Sequence, residues 1–298
     1  DLHASLAPSE MCIRDRMEDL LQYRFADGRL KNQSFGNLFL AAMAGISDNF
    51  EEAVQKMSSV LAVTGKVIPV TLDNMQLVAK LQNGNIVKGE SQIPEEAIEQ
   101  KSRIEELKIV PENAKALPEA LEAIKEADAI VMGPGSLYTS ITSNLLVKDI
   151  AKEVRKSSAI KIYISNIMTQ PGETTGFKVS DHLKVLFKYG GKDIVDYVIA
   201  NTGEITEELK EKYQKDDAEL VKLDREDINS LGVKIVGDDL VKVKNGLIKH
   251  DSDKLAEILV DTIMEKKLLY DKKKIIEYMY LSQRIKERVR EEKGKVID

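Results

Sequence analysis

Apolar and polar positions along the chain follow two regimes that meet near Pro118. Upstream, Asn37 to Ala44 is apolar and Ala-rich, which predicts a helix closed by Gly45. A second helix is predicted from about Ser47 to Val60, with Asp48 as N-cap and Glu51 at capping-box spacing. Val67 to Leu72 reads as a strand in which Pro69 favours an edge or irregular position. Leu77–Leu81 and Asn85–Gly89 flank Asn83-Gly84, the strongest short hairpin signal, and Ile104 to Val110 is a further strand. Downstream, short apolar strands alternate with helices. The helices are predicted over Glu119–Ala127, Asn144–Lys156 and Asp181–Tyr189, the strands over Ala129–Met132, Ile160–Ile164 and Val195–Ala200. That alternation means βαβ units on a parallel sheet, and ligands bind such sheets at the carboxyl ends of the strands.

Beyond Lys210 the chain is more polar, with short strands expected near Leu220-Val221 and Val233–Val236 and a helix from Lys254 to Lys267. The tail, Leu268 to Glu292, alternates charge with Leu268, Ile275, Met279, Ile285 and Val289. It reads as an amphipathic helix that either packs on its own domain or binds a protein partner. The fold class is therefore α/β, with a mostly parallel sheet and an antiparallel hairpin insertion. Residues 1–16 carry no defensible period and read as a foreign leader or a floppy terminus. The division expected is leader 1–16, an α/β domain over 17–265 and a charged helix over 266–298.

Composition narrows the function classes. With 298 residues, 43% apolar and 32% charged, the chain can bury a sizeable core. Its 44 Lys and Arg against 50 Asp and Glu give a net charge of −6, which argues against general nucleic-acid binding. No run approaches the roughly 18 apolar residues of a membrane span. Cys12 is the one cysteine, and His3, His182 and His250 are the only histidines, so disulfides within the chain are excluded and metal or triad chemistry has few donors. A cytoplasmic setting fits.

The stretch IVMGPGSLYTS, Ile130 to Ser140, places Gly133, Gly135 and Ser136 where a buried strand gives way to a helix. Glycines there let backbone approach a ligand, and free N–H groups with Ser136, Thr139 and Ser140 can receive an anion. A compact, capped βα turn explains the same residues. Neither a dinucleotide fingerprint nor a P-loop is present. Ser136 as a nucleophile with His182 as base lacks the G-x-S-x-G context. The next strand ends in Asn166, then Thr169, Gln170, Gly172 and Glu173, whose neutral side chains could read sugar hydroxyls or a base, while Glu173 could hold a ribose or a metal. The third ends in Asn201-Thr202-Gly203. Three polar loops on one rim point to an anionic ligand such as a nucleotide diphosphate. Asp181 beside His182 is a helix cap or a functional acid.

Ser34-Phe35-Gly36-Asn37-Leu38, Val63 to Thr71, GPGSLYTSI at Gly133–Ile141, Asn166 to Thr174 and Ser180-Asp181-His182 together resemble the YvcK/CofD family, most closely its YvcK, or gluconeogenesis-factor, branch. The resemblance spans roughly Leu20 to Val260. It implies a Rossmann-like three-layer fold and a nucleotide-type ligand. The CofD branch moves a phospholactyl group onto a deazaflavin, which would bring in Mg²⁺. The YvcK branch is linked instead to UDP-sugars, notably UDP-N-acetylglucosamine, and to cell shape and carbon-source control in the cytoplasm. The ligand residues it implies are Gly36, Asn37, Gly133, Gly135, Ser136, Leu137, Tyr138, Thr139, Ser140, Asn166, Thr169, Gln170, Gly172 and Glu173. Tyr213 would stack on the uracil and Lys249 would meet the diphosphate. Lys249-His250-Asp251 stands where the family has Arg-His-Asp, so a planar fork is replaced by a point charge. Asn32-Gln33 stands where it favours Gly-His. The family's leading Gly-rich strand-turn is not in this chain, and a truncated copy lacking at least one βαβ unit of about 30 residues is expected. Further expected partners are proteins at the C-terminal helix and additional copies of the chain; nucleic acid and membrane are not.

Overall fold

The structure, a computed structural model, describes residues 20–21, 23–31, 33–60, 65–244, 246–268, 280 and 283–284. The leader 1–16 and most of the tail helix lie outside the described residues. The chain divides into two compact units. One runs to Leu72 and includes Leu117–Ala120; the other comprises Asp73–Ala116 and everything from Leu121.

Among the described residues of the first unit are α1 (Phe35–Gly45) and α2 (Phe50–Val60). Ser34 caps α1 by accepting the Asn37 N–H at 3.2 Å. The reciprocal cap of α2 sits one residue later than the sequence suggests. Asn49 Oδ1 accepts the Glu52 N–H at 2.9 Å, and Glu52 Oε2 accepts the Asp48 N–H at 2.7 Å. Asn49 and Glu52, rather than Asp48 and Glu51, therefore satisfy the open donors of the first turn. Residues 67–72 form no strand. Pro69 offers no ladder donor, and the Val70 carbonyl instead receives the Leu117 N–H at 2.8 Å.

The second unit opens with an antiparallel sheet in the order β2-β1-β3: β1 (Gln76–Leu81), β2 (Ile86–Lys88) and β3 (Ile104–Val110). Asn83-Gly84 makes the turn as expected, with Gly84 at φ +91. A helix the periodicity did not separate from its loop, α3 (Gln92–Glu99), joins β2 to β3 and buries Ile93 and Ala97. After α4 (Pro118–Glu126) come the parallel strands β4 (Ala129–Met132), β5 (Ile160–Ile164), β6 (Tyr197–Asn201) and β7 (Lys234–Asp238), adjacent in that order. Register runs Val131 opposite Ile162, Ile162 opposite Tyr197, and Ile199 opposite Val236.

The strand β5 is buried along its whole length, as a central parallel strand must be. Ile160, Ile162 and Ile164 join Ile199, Leu240 and Leu255 on one face, where α10 (Ser252–Leu268) adds Ile258 and Leu259. Tyr163 points to the other face and meets His182 of α7 (Val179–Gly190). Helix, sheet and helix make the three layers. Lys161 is buried in the same strand, and its ammonium donates to the Ser157 and Ala159 carbonyls at 3.0 and 3.3 Å.

The single helix expected over Asn144–Lys156 is broken. A π-helical turn, Leu137–Thr142, runs into α5 (Ser143–Leu146), and α6 (Ile150–Lys156) starts after Asp149 at φ +70. The cause is tertiary: Lys148 bridges to Lys115, and its N–H donates to the Ala114 carbonyl at 3.1 Å. That bond draws the backbone out of the helix. Leu220-Val221 supplies only a single bridge, Met168 to Leu220, instead of a strand. Two short helices, α8 (Glu207–Gln214) and α9 (Arg225–Ser230), and a hairpin of β8 (Val241–Lys244) and β9 (Leu247–His250) complete the unit. Among the described residues no helix is long and apolar enough to cross a membrane.

Ile162 is fully buried at the centre of the sheet. Replacing it with Ala is expected to cost roughly 2–5 kcal/mol, through lost burial and the cavity left behind. Urea unfolding with an unchanged m-value would show this as a lowered midpoint.

Candidate functional site

The strands β4, β5 and β6 are parallel, so the loops that follow them open on one rim of the sheet. After β4 the chain turns at Gly133, with φ +96, and enters the π-helical turn. A Cβ on Gly133 would stand 2.9 Å from the Ile164 carbonyl oxygen and 3.3 Å from Ile141 Cδ1. Glycine is needed here to let two backbones lie close.

The open N–H groups of the π-helical turn already have an anion. Glu173 Oε2 accepts the Tyr138 N–H at 3.0 Å and the Thr139 N–H at 3.4 Å, while Oε1 accepts the Thr139 hydroxyl at 2.9 Å. Glu173 is only 6% exposed. Burial pushes its carboxyl above the usual range, against the pull of the Thr139 hydroxyl and the two N–H groups. Leu137, Tyr138 and Thr139 are buried as part of this anchor, whereas Ser140 faces out.

The loop after β5 lies against the same turn. Asn166 Nδ2 donates to the Gly135 carbonyl at 3.2 Å, and Gln170 Nε2 donates to Ser136 Oγ at 2.9 Å. A carbonyl can only accept, so the Asn166 amide is oriented with Nδ2 toward Gly135. The other ends of both amides, Asn166 Oδ1 and Gln170 Oε1, are buried with no hydrogen-bond partner. Buried polar atoms are nearly always paired, and unpaired ones mark a place where something else supplies the bond.

Other residues singled out from the sequence have structural partners. Thr169 is clamped to Glu219 by two bonds, 2.7 Å through its N–H and 2.9 Å through its hydroxyl. Gly172, at φ +79, lies so close to Pro94 that a Cβ would overlap the Pro94 carbonyl. Asn201 spends its amide on Gly203 and on the Leu240 N–H. Gly36 and Asn37 stand in the first turn of α1, in the other unit. The Tyr213 hydroxyl accepts the Ile248 N–H at 2.8 Å, which fastens α8 to the β8–β9 hairpin next to Lys249. His250 in turn reaches the Ser165 carbonyl at 3.1 Å and brings the Lys249-His250-Asp251 segment to the end of β5. Sequence reasoning assigned His250 no position of its own. Its place beside Lys249 in the Lys249-His250-Asp251 segment was the available signal.

The family model described as 2-phospho-L-lactate transferase CofD matches residues 3–241. The chain belongs to the CofD family. Within it the relatives carry the name gluconeogenesis factor. The Bacillus subtilis protein of that name is 44% identical over 254 residues, 85% of this chain and 79% of that protein. A Clostridium acetobutylicum relative is 63% identical over 277 residues, 93% of this chain but only 61% of its own length. A crystal structure of a UPF0052-family protein from Bacillus halodurans superposes with a TM-score of 0.73 at 40% identity, covering 80% of this chain and 76% of that one. These likenesses establish the α/β fold and the gluconeogenesis-factor branch.

Behind the rim, a phenol kept protonated by burial lies 2.7 Å from His182 Nδ1, and His182 Nε2 is buried without a partner. Burial, only partly offset by Asp181 and Asp224, lowers the His182 pKa to about 4 from its ordinary 6.5. Between those values the unfolded chain holds a proton that the folded one excludes, so stability falls as pH drops through that window. Acidification from pH 7 to pH 4 is expected to remove on the order of 3 kcal/mol through this group. His182→Gln should flatten the slope of unfolding free energy against pH. Glu173 titrates in the opposite sense, its raised pKa favouring the folded state as pH falls, and Glu173→Gln separates the two.

Proposed function

We propose that the chain is a regulatory, nucleotide-sugar-binding factor of gluconeogenic carbon metabolism, acting in the cytoplasm, with UDP-N-acetylglucosamine as the ligand type and cell shape among its outputs. The observation that carries this reading is the pair of buried, unpartnered amide oxygens, Asn166 Oδ1 and Gln170 Oε1, beside Gly135 and Ser136 on the carboxyl rim. Each can accept an N–H or O–H. A uracil imide, sugar hydroxyls and an acetamido group are rich in those donors. The names of the relatives support the gluconeogenic part.

The diphosphate in this reading takes the Gly135 and Ser136 N–H groups and the Ser136 hydroxyl, because the Tyr138 and Thr139 N–H groups already serve Glu173. Lys249 approaches from the hairpin held by Tyr213 and His250. Tyr213 acts through that hairpin as much as through its ring. The second reading, a phospholactyl transferase acting on a deazaflavin, is favoured by the family description alone. Among the described residues no group of three His, Cys, Asp or Glu side chains could hold a metal ion, and Mg²⁺ in this reading would lean on one or two carboxylates and the substrate's own phosphates.

Isothermal titration of UDP-N-acetylglucosamine into the chain tests the proposal. Losing one buried hydrogen bond costs about 1–3 kcal/mol, so Asn166→Ala and Gln170→Ala should each weaken binding by about fivefold to 150-fold. Affinity unchanged in both variants, or no binding by the parent chain, would overturn the reading. Turnover of a nucleotide-linked phospholactyl donor with a deazaflavin would replace it with the transferase.

A further inference from the structure

A cavity of about 340 Å³ opens on the far side of Glu173, between the end of α3 and the loop that follows β5. Its cations are Lys101 and Arg103; its hydroxyls are Ser102 and Thr175; its acids are Glu173 and Asp217. Ile98 and Pro171 add apolar wall. Among the described residues neither Lys101 nor Arg103 makes an ion pair.

The guanidinium is nonetheless held in place. It stands 5.9 Å from the centroid of the Phe177 ring, and Gly176, at φ +71, leaves room where a Cβ would come to 3.2 Å of Arg103 Nη2. An aromatic face orients Arg while leaving its in-plane donors open to an oxyanion. Lys101, at φ +47, and Asp217, at φ +54, are the left-handed caps that end α3 and α8: the Lys101 and Ser102 N–H groups donate to the Ile98 and Ala97 carbonyls at 3.0 Å, and the Asp217 and Ala218 N–H groups to the Gln214 and Tyr213 carbonyls at 3.1 and 3.0 Å. Both caps line this cavity.

We propose that this cavity is a second small-molecule site, for a phosphorylated polyol. Arg103 and Lys101 take the phosphate as a fork and a point charge. Asp217 accepts from a hydroxyl of the ligand, and the Ser102 and Thr175 side chains complete the polar wall. The ligand's carbon chain lies on Ile98 and Pro171. The site stands independently of the nucleotide-sugar reading, since none of its cations belongs to the rim.

Titration calorimetry of the full chain with glycerol 3-phosphate, and with inorganic phosphate alone, tests the site. Saturable binding of glycerol 3-phosphate is expected, tighter than that of phosphate, with at least a tenfold loss in Arg103→Gln and a several-fold loss in Lys101→Gln. Asn166→Ala, on the rim, should bind glycerol 3-phosphate within twofold of the parent. Both cation variants lie at exposed positions, and their thermal midpoints serve as the check on folding. No saturable heat overturns the proposal. So does binding indifferent to both cation substitutions, or an equal loss in Asn166→Ala, which would put the phosphate on the rim.

Discussion

The carboxylate of Glu173 is the group on which the rim depends. A buried carboxylate costs free energy unless its lone pairs are met, and a helical start costs free energy unless its N–H groups are met. Each problem is the solution to the other: Tyr138, Thr139 and the Thr139 hydroxyl meet Glu173 within 2.9–3.4 Å. The bond set also ties two loops that belong to different strands, one leaving β4 and one leaving β5. The β5 loop is itself locked, because the Gln170 N–H reaches Thr174 Oγ1 at 2.8 Å and Gly172 fits under Pro94. Position at the rim is thus set by the protein's own anion, before any external one arrives.

That arrangement changes what the GPGSLYTS segment can do. Glycine, serine and threonine between a strand and a helix suggest a phosphate cradle, and the sequence supports that reading as readily as a capped turn. In the fold the segment divides. Tyr138 and Thr139 hold the internal carboxylate. Gly135 and Ser136 face the two amides, whose oxygens are the unmet acceptors. The division follows from distance along the turn: donors at its first full residues point inward to Glu173, and those before it border the rim.

The parallel sheet was legible because central parallel strands leave an unambiguous mark. Ile160 to Ile164 can be little else than a strand buried on both faces, and Asn83-Gly84 fixes its hairpin locally. The failures share one cause, a tertiary bond that overrides local preference. Lys148 breaks a good helix because Ala114 offers its carbonyl. Val67 to Leu72 has strand composition, yet the Val70 carbonyl is taken by the Leu117 N–H and Pro69 has no donor for a ladder. Of the site, the rim loops could be found, since they follow strands that could be found. The partner of the π-helical turn could not, because Glu173 lies 34 residues from Thr139 and nothing in either segment specifies the other.

Glu173 also has a second face. The same side chain that anchors the rim turn lines the cavity bearing Arg103 and Lys101. An ionised carboxylate is favoured by every cation brought near it and disfavoured by every anion. An oxyanion placed against Arg103 would compete for positive potential with Glu173 and so bear on the hydrogen bonds to Tyr138 and Thr139. The coupling is bounded by differential interaction: only a ligand that treats the two states of the Glu173 anchor differently can shift them. The ligand preferences of the rim and of the cavity are therefore separable in chemistry, amide acceptors on the one and cations in the other, yet joined through one buried acid.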